Sequence, residues 1–219
     1  MNLFGLDRNA RRAARFQCDK HVYKMTVETT QILYTVLFLL GVQLPDLMDN
    51  GDIVPAYKPT HAKHPCVLWT AACANHFWWT LCLGRSLAAQ AFWRAKKTIS
   101  KPKPHRCQLH LDHIFAHFAL VAAVLPASID ADTWLQSLDD ARRASMHVAT
   151  VDPPEGCEFG VVAFEHIDDA MLKRGWVACY RDVYAHKRAN NPQLQDMTWS
   201  TRACDPLKSE AKIDAALVA

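Results

Sequence analysis

The sequence predicts a mostly α-helical protein. Half of its 219 residues are hydrophobic, which is enough to form a substantial core. Apolar residues recur at helical spacing over several long segments, and apolar and polar residues nowhere alternate for long enough to form a sheet of any size. These observations predict an all-α fold with little or no sheet, in which residues 1–219 form a single domain.

The N-terminal half is predicted to contain two long helices. Residues 16–40 form the first, after a basic segment for which Asp7 is the expected N-cap, and Gly41 is suited to end it. Residues 45–59 are expected to form a loop with a turn at Asp-Asn-Gly-Asp. Residues 65–97 begin with a proline, which is favourable at the first helical position, and form a second helix that is rich in aromatic residues.

The C-terminal half is predicted to contain shorter helices. Residues 101–104, with the sequence Lys-Pro-Lys-Pro, break the helical pattern and form a stiff basic linker. Helices are then expected over residues 106–124, 132–147 and 167–189, with a loop at 150–160.

Basic residues are concentrated in the middle of the chain. From Ile53 to Leu111 there is no Asp or Glu, but there are nine Lys and Arg residues and five His, although the net charge of the whole chain is only +3. Such segregation of charge indicates a partner that carries phosphate, such as DNA. The alternative is a set of solvated basic side chains on exposed helix faces.

The cysteines and the hydropathy indicate a protein of the cytoplasm. The eight cysteines form no Cys-x-x-Cys pair and no regular spacing, which favours buried reduced thiols over disulfides or a zinc site. No apolar run reaches membrane-spanning length, and the N-terminus lacks the pattern of a signal peptide. No membrane association is therefore expected.

The first long helix carries a polar stripe on an otherwise apolar surface. The stripe and the residues at its start are Asp19, Lys20, His21, Lys24, Glu28 and Gln31. A polar stripe on so apolar a helix is expected to face a cleft. Its two carboxylates and its imidazole are candidate catalytic acids or bases, and its lysines and amide are candidate substrate ligands. The alternative is a simple surface ion pair between Lys24 and Glu28.

A second polar cluster precedes the aromatic-rich helix. Its candidate residues are Tyr57, Lys58, Thr60, His61 and His64. The unpaired N–H groups of a helix N-terminus favour an anion, so this cluster predicts a phosphate site in which His61 is also a candidate catalytic group. The alternative is that the histidines are half-exposed loop residues. A zinc site formed with His21 is a further alternative, without a recognised ligand spacing.

Three further features carry candidate residues. Asn75 lies in the aromatic-rich helix, and Arg181 lies in the last helix beside two tyrosines; both are candidates to contact the substrate. His110, His113 and His117 lie on one helix face and predict either a divalent metal site or histidines buried in the core. No cofactor is firmly implied.

Three strings in the chain resemble a family of small proteins that is common in tailed-phage genomes. They are CDKHVxKM at residues 18–25 with the ETxQ that follows, YKPTHxxHPCxxW at residues 57–69, and YRxxYxxK at residues 180–187. The resemblance covers residues 1–97 and 177–202. Residues 101–165 depart from the pattern and are expected to be a family-variable insertion.

The resemblance implies an enzyme that modifies DNA bases. The chain is similar in kind to the helical, glycosylase-like enzymes of phage thymine hypermodification. In that modification, an amino acid or amine displaces pyrophosphate from a 5-(pyrophosphoryloxymethyl)uracil base. DNA and an amino acid or amine are then the expected partners. A glycosylase that excises bases, a non-catalytic DNA-binding or host-takeover protein, and a metal-dependent hydrolase remain as alternatives.

Overall fold

Helices dominate the computed structural model, which describes residues 1–96, 99–151, 155–164 and 168–190. The predicted mostly α-helical class is confirmed. The helices are α1 (Ala10–Phe16), α2 (Asp19–Leu39), α3 (Pro65–Ala72), α4 (Ala74–Ala95), α5 (Cys107–Ala116), α6 (Phe118–Ala122), α7 (Ala131–Gln136), α8 (Asp140–Ser145), α9 (Asp169–Leu172) and α10 (Trp176–Asn190). The antiparallel strand pairs are β1 (Leu47–Asp49) with β2 (Asp52–Val54), and β3 (Val148–Val151) with β4 (Gly160–Ala163).

The basic segment before α2 forms a helix of its own. Its N-cap is Asn9, whose side chain accepts hydrogen bonds from the backbone N–H groups of Arg11 and Arg12. The expectation that Asp7 caps this segment was wrong. Asp7 instead accepts the N–H of Asn9 at 2.9 Å and forms an ion pair with Arg12 at 3.2 Å, so it supports the cap from one position further out.

A buried arginine fixes the break between α1 and α2. Arg94 of α4 donates to the backbone oxygen of Arg15 at 3.1 Å, to that of Gln17 at 2.7 Å, and to the carboxylate of Asp19 at 3.0 Å. A buried guanidinium must have its charge and its donors satisfied. The bend at residues 17 and 18 provides those acceptors, which a continuous helix from residue 16 would have kept for its own N–H groups.

The other long helices predicted from the sequence are also interrupted. Extended backbone at Cys73 separates α3 from α4, and the first N–H groups of α4 bond to the carbonyl groups of Pro126 and Ala127. His117 separates α5 from α6, and Asp139 caps α8 after α7 has ended. At the Cys73 break the freed N–H groups donate to distant carbonyl groups, and at the start of α8 the side chain of Asp139 accepts the N–H of Arg142.

Two short hairpins are associated with loops that the sequence predicted. One lies within residues 45–59, and the strands of the other border residues 150–160, of which 155–159 form no helix or strand. Residues 45–59 contain β1 and β2, joined by a turn in which Asn50 has φ 51° and Gly51 has φ 91°. Asn-Gly is the pair favoured for such a turn, and the predicted turn is confirmed. In the 150–160 region, β4 is buried on both faces and pairs with β3. The strands are too short for their alternation to be visible in the sequence.

The core is held together at two close approaches. Gly84 of α4 lies against α2, since a Cβ at this position would be 2.9 Å from Thr29 Cγ2 and 2.8 Å from Leu111 Cδ2. Trp176 at the start of α10 lies between Gly5 and Gly160, with its indole ring in the space that either Cβ would fill. The second approach binds the N-terminal segment and the β3–β4 hairpin to α10.

The predicted last helix, residues 167–189, begins later than expected, at Trp176 after the short α9. Core residues such as Leu111, Ile114 and Trp134 lie within the predicted insertion at 101–165, so this segment packs into the main core. Lys97, the predicted end of the aromatic-rich helix, lies outside the described residues. So do residues 191–202, where the phage-type resemblance ends.

Among the described helices, none combines the length and the apolar character needed to cross a bilayer.

Replacing Gly160 by alanine is expected to destabilise the protein by about 3 kcal/mol, because the added Cβ would lie 1.5 Å from Trp176 Cε3. Urea unfolding followed by circular dichroism measures this change. Gly41→Ala is the control: Gly41 has φ 65° and open space around it, so only backbone strain of about 1 kcal/mol is expected. Equal losses of unfolding free energy for the two variants would contradict the close contact between Trp176 and Gly160.

Candidate functional site

The N-terminal segment, residues 1–6, packs along the polar stripe of α2. The backbone N–H of Asn2 donates to Glu28 Oε2 at 2.8 Å. Phe4 stacks on His21 with ring centroids 5.1 Å apart, and its other contacts are with the aromatic rings of α10 and Phe164. Along the stripe only His21 is buried, whereas Asp19, Glu28 and Gln31 are half-buried and Lys20 and Lys24 are exposed. The stripe therefore lies at the edge of the core, with the N-terminal segment over part of it.

Glu28 is the acidic group at the centre of this arrangement. Its side chain is only 14% exposed, and its Oε1 lies 3.4 Å from the ammonium group of Lys24, which is 67% exposed. One oxygen is thus bound by a backbone donor and the other by a solvated cation. Such a half-exposed ion pair contributes little to stability, but the two contacts fix the direction of the carboxylate.

Lys187 of α10 brings a second cation to Glu28. Its ammonium group lies 5.6 Å from the ring of Phe164. Burial and the nearby charge of Lys24 lower the pKa of Lys187, and the charge of Glu28 opposes this change. Glu28 therefore forms an ion pair with Lys24 of α2 and lies within electrostatic range of Lys187 of α10. We call Lys24, Glu28 and Lys187, with His21 and Tyr184 behind them, the Glu28 centre.

His21 is the buried part of the Glu28 centre. Its Nδ1 lies 2.7 Å from the hydroxyl group of Tyr184, and only 6% of its surface is exposed. Burial, with smaller contributions from Lys187 and Lys24, lowers its pKa to about 4, so the ring is neutral at pH 7. His21 and Tyr184 therefore share one hydrogen bond in the interior, behind Glu28.

The remaining candidates on α2 lie around this centre. The carboxylate of Asp19 is bonded to Arg94, which gives it a structural partner at the α1–α2 bend. Lys20 is exposed in the first turn of the helix. Gln31 is half-buried one turn beyond Glu28, and its backbone oxygen accepts the hydroxyl group of Thr35.

The start of α3 lies beside the Glu28 centre. Burial raises the pKa of the Cys66 thiol to about 11, and the backbone N–H of Leu3 opposes that change. The negative charge of Glu28 raises the pKa of Cys66 further. His64 is the N-cap of α3, and its Nδ1 accepts the N–H of Cys66 at 3.1 Å. Burial lowers the pKa of His64 to about 4. A neutral imidazole therefore already occupies part of the predicted anion site.

The loop before α3 is anchored on α2. Thr35 Oγ1 accepts the N–H of Thr60 at 3.1 Å and also donates to its carbonyl oxygen at 3.2 Å. His61 follows with φ 52°, is exposed, and has its Nδ1 2.7 Å from Thr60 Oγ1. Lys58 and Lys63 are exposed on the same loop. The predicted cluster thus divides between an exposed basic loop and the half-buried His64.

Tyr57 points away from the Glu28 centre into a second polar cluster, which the sequence analysis missed. Its hydroxyl group lies 3.2 Å from Cys107 Sγ, and its ring lies 4.9 Å from that of His110. The hydroxyl group of Tyr34 lies 2.9 Å from His110 Nδ1. Beside these rings is a mainly apolar cavity of about 490 Å³, between the end of α2 and the β1–β2 hairpin. The one available signal was Tyr34, a polar group at a core position of α2.

The three histidines of α5 and its C-terminus do not converge on one point. His110 bonds to Tyr34, His113 Nε2 lies 2.9 Å from the carbonyl oxygen of Pro45, and His117 Nδ1 lies 2.9 Å from that of His113. Within the described ranges, no group of three His, Cys, Asp or Glu side chains is arranged to hold a metal ion.

Asn75 and Arg181 lie on other parts of the surface. Asn75 is in the first turn of α4, where its N–H donates to Ala127 and its carbonyl oxygen accepts from Cys157. The guanidinium group of Arg181 lies 5.8 Å from the ring of Phe16, on the α1 side of α10.

No protein-family model, curated protein or solved structure gives a significant match to this chain. The argument for its function therefore depends on the Glu28 centre and the charge distribution of the chain itself.

The free energy of unfolding is expected to fall by at least about 2 kcal/mol between pH 7 and pH 5, because the unfolded chain binds a proton at His21 in this range and the folded protein does not. His21→Gln is expected to remove about 2 kcal/mol of this pH dependence, measured by urea unfolding at both pH values. Tyr184→Phe is the control, since it leaves the imidazole buried and should keep the dependence. A His21→Gln variant with the full pH dependence would contradict a buried neutral histidine.

Proposed function

We propose that this protein is a DNA-base-modifying transferase whose reacting centre is Glu28. The observation that carries the proposal is a carboxylate only 14% exposed, with the ammonium group of Lys24 3.4 Å from its Oε1 and the charge of Lys187 on α10 within electrostatic range. The resemblance of residues 18–31, 57–69 and 180–187 to the phage family supports the same assignment, because these strings supply Glu28, His64 and Lys187.

In the proposed reaction, the nitrogen of an amino acid or amine attacks the 5-methylene carbon of a pyrophosphorylated 5-hydroxymethyluracil base. The C–N bond forms as the C–O bond to pyrophosphate breaks, and the bonding electrons leave with pyrophosphate. Glu28 takes the proton that the amine nitrogen releases. Lys24 and Lys187 stabilise the negative charge that develops on the leaving group.

The geometry suits this division of roles. Glu28 has Lys24 on its solvent side, so an anionic group approaching from solvent meets a cation first. The target base has to leave the duplex to reach a centre within the protein. The exposed basic residues of the loop before α3 and of the linker after α4 would then bind the surrounding strand; they include Lys58, Lys63, Lys101, Lys103 and Arg106.

A second function is favoured by one specific observation. Both carboxylate oxygens of Glu28 already have partners, Asn2 and Lys24, as in a purely structural ion pair. In this case the protein would be a non-catalytic DNA-binding protein, and the lysines would only contact phosphates.

Glu28→Gln is expected to reduce turnover at least about 100-fold while folding and DNA affinity persist, because the amide keeps an acceptor for Asn2 but cannot take a proton. The assay is mass spectrometry of nucleosides digested from a 5-hydroxymethyluracil duplex, with and without prior pyrophosphorylation, after incubation with the protein and a pool of amino acids. Asp182→Asn is the matched control, at a carboxylate on α10 that pairs with Arg174.

A heavier nucleoside that requires both pyrophosphorylation and Glu28 would support the transferase. Release of a free base or an abasic site would identify a glycosylase instead. An unchanged digest from protein that binds the DNA would overturn the enzymatic proposal in favour of the binding protein.

Lys187→Gln is expected to raise the KM for the pyrophosphorylated duplex about tenfold, because the variant loses a cation that would also bind the charged pyrophosphate group of the substrate before reaction. Steady-state kinetics measure this change. Lys173→Gln, at an exposed lysine between α9 and α10, is the control for general loss of positive charge. An equal rise in KM for both variants would contradict a specific role for Lys187.

A further inference from the structure

A basic groove lies between α1, α4 and α5, on elements other than those that carry the proposed catalytic carboxylate. It has a volume of about 390 Å³ and is lined by Arg11, Arg15, Arg85, Gln90 and Gln108, together with small residues of α4. The lining, all of it within the described residues, contains three arginines and no acidic residue. We call it the arginine groove.

The charges of the arginine groove converge from two helices. Arg11 and Arg15 are one turn apart on α1, so their side chains project from the same face. Burial raises the pKa of the Cys82 thiol, and the positive charges of Arg11 on α1 and Arg85 on α4 both lower it. Like charges at this spacing destabilise an isolated helix. An anion in the groove would remove this repulsion.

The side chains of the groove are held in fixed orientations. The guanidinium group of Arg85 lies 3.8 Å above the ring of Phe115, and its Nε donates to Asp112 at 2.8 Å. Gln108 donates to the other oxygen of Asp112 at 2.6 Å. Because these contacts use one edge of the Arg85 guanidinium group, its remaining N–H groups can bind a second acceptor. Prior ordering of this kind lowers the entropic cost of binding a ligand.

Arg94 connects the groove with the Glu28 centre. It donates to Gln90 Oε1 at 3.5 Å and to the backbone oxygen of Arg15, and both of these residues line the groove. It also pairs with Asp19 at the start of α2, where the N–H of Cys18 donates to the hydroxyl group of Tyr184. Tyr184 in turn bonds to His21. The groove and the centre therefore lie on either side of the α1–α2 bend.

We propose that the arginine groove binds the phosphodiester backbone of DNA and holds the strand whose base is modified. Guanidinium groups present paired N–H donors that match two oxygens of a phosphate group. Arg11 and Arg15 are about 6 Å apart along the axis of α1, which allows each to contact a different phosphate of one strand. This inference rests on the proposed function in one respect, which is that DNA is the partner.

The test is DNA binding by the Arg11→Gln/Arg15→Gln variant, measured by fluorescence anisotropy with a labelled duplex over a range of salt concentrations. Each lost phosphate contact reduces the slope of log K against log salt by about 0.9, so a reduction of about 1.8 and clearly weaker binding at low salt are expected. Lys173→Gln/Arg174→Gln is the matched control, with the same loss of charge on the α9–α10 turn. Circular dichroism and thermal unfolding confirm that each variant is folded.

The outcomes separate this inference from the proposed function. A slope that falls in the groove variant and not in the control supports the groove. A wild-type protein that binds the duplex, with an equal slope in the groove variant, overturns the groove and leaves the proposed function intact. Failure of the wild-type protein to bind DNA overturns both. Displacement of DNA by inorganic phosphate at constant ionic strength, in the wild-type protein only, would identify a site for a free anion and also overturn the assignment to a DNA backbone.

Discussion

The close approach of α4 to α2 at Gly84 is the constraint on which the rest of the structure depends. With no Cβ at this position, the backbone of α4 contacts the side chain of Thr29, and Leu111 of α5 packs at the same point. Because interiors are close-packed, a larger residue here would have to separate three helices. Their contact places α2 at the centre of the protein, so that its different faces reach the N-terminal segment, α3, α5 and α10.

A central helix with polar side chains has to provide partners for them. Glu28 is held by the N–H of Asn2 and by Lys24, and His21 by the hydroxyl group of Tyr184. Burial keeps His21 neutral, which avoids a third positive charge beside the two lysines. The polar groups of the Glu28 centre are therefore oriented before any substrate binds, which is the condition for electrostatic stabilisation of a transition state.

Buried and exposed basic residues have different tasks in this chain. Arg94 belongs to the segment without acidic residues, yet it is buried and closes the α1–α2 bend. Arg85, from the same segment, pairs with Asp112, which lies just beyond it. The concentration of positive charge in the sequence thus supplies internal contacts as well as exposed basic side chains. The arginine groove adds basic side chains of α1, although α1 lies outside the segment.

The sequence by itself determined the helical class and the turn at residues 49–52, because these follow from local periodicity and turn chemistry. Only the tertiary structure decided where the long helices break, because each break serves a distant partner. The backbone oxygens of Arg15 and Gln17 accept from Arg94, and the N–H groups of Ala74 and Asn75 donate to the carbonyl groups of residues 126 and 127. The tertiary structure also places Tyr57 and His64 in different clusters. It brings Lys187 within electrostatic range of Glu28, although the two residues are 159 positions apart in the chain. Contacts between residues so far apart depend on packing, which no local pattern specifies.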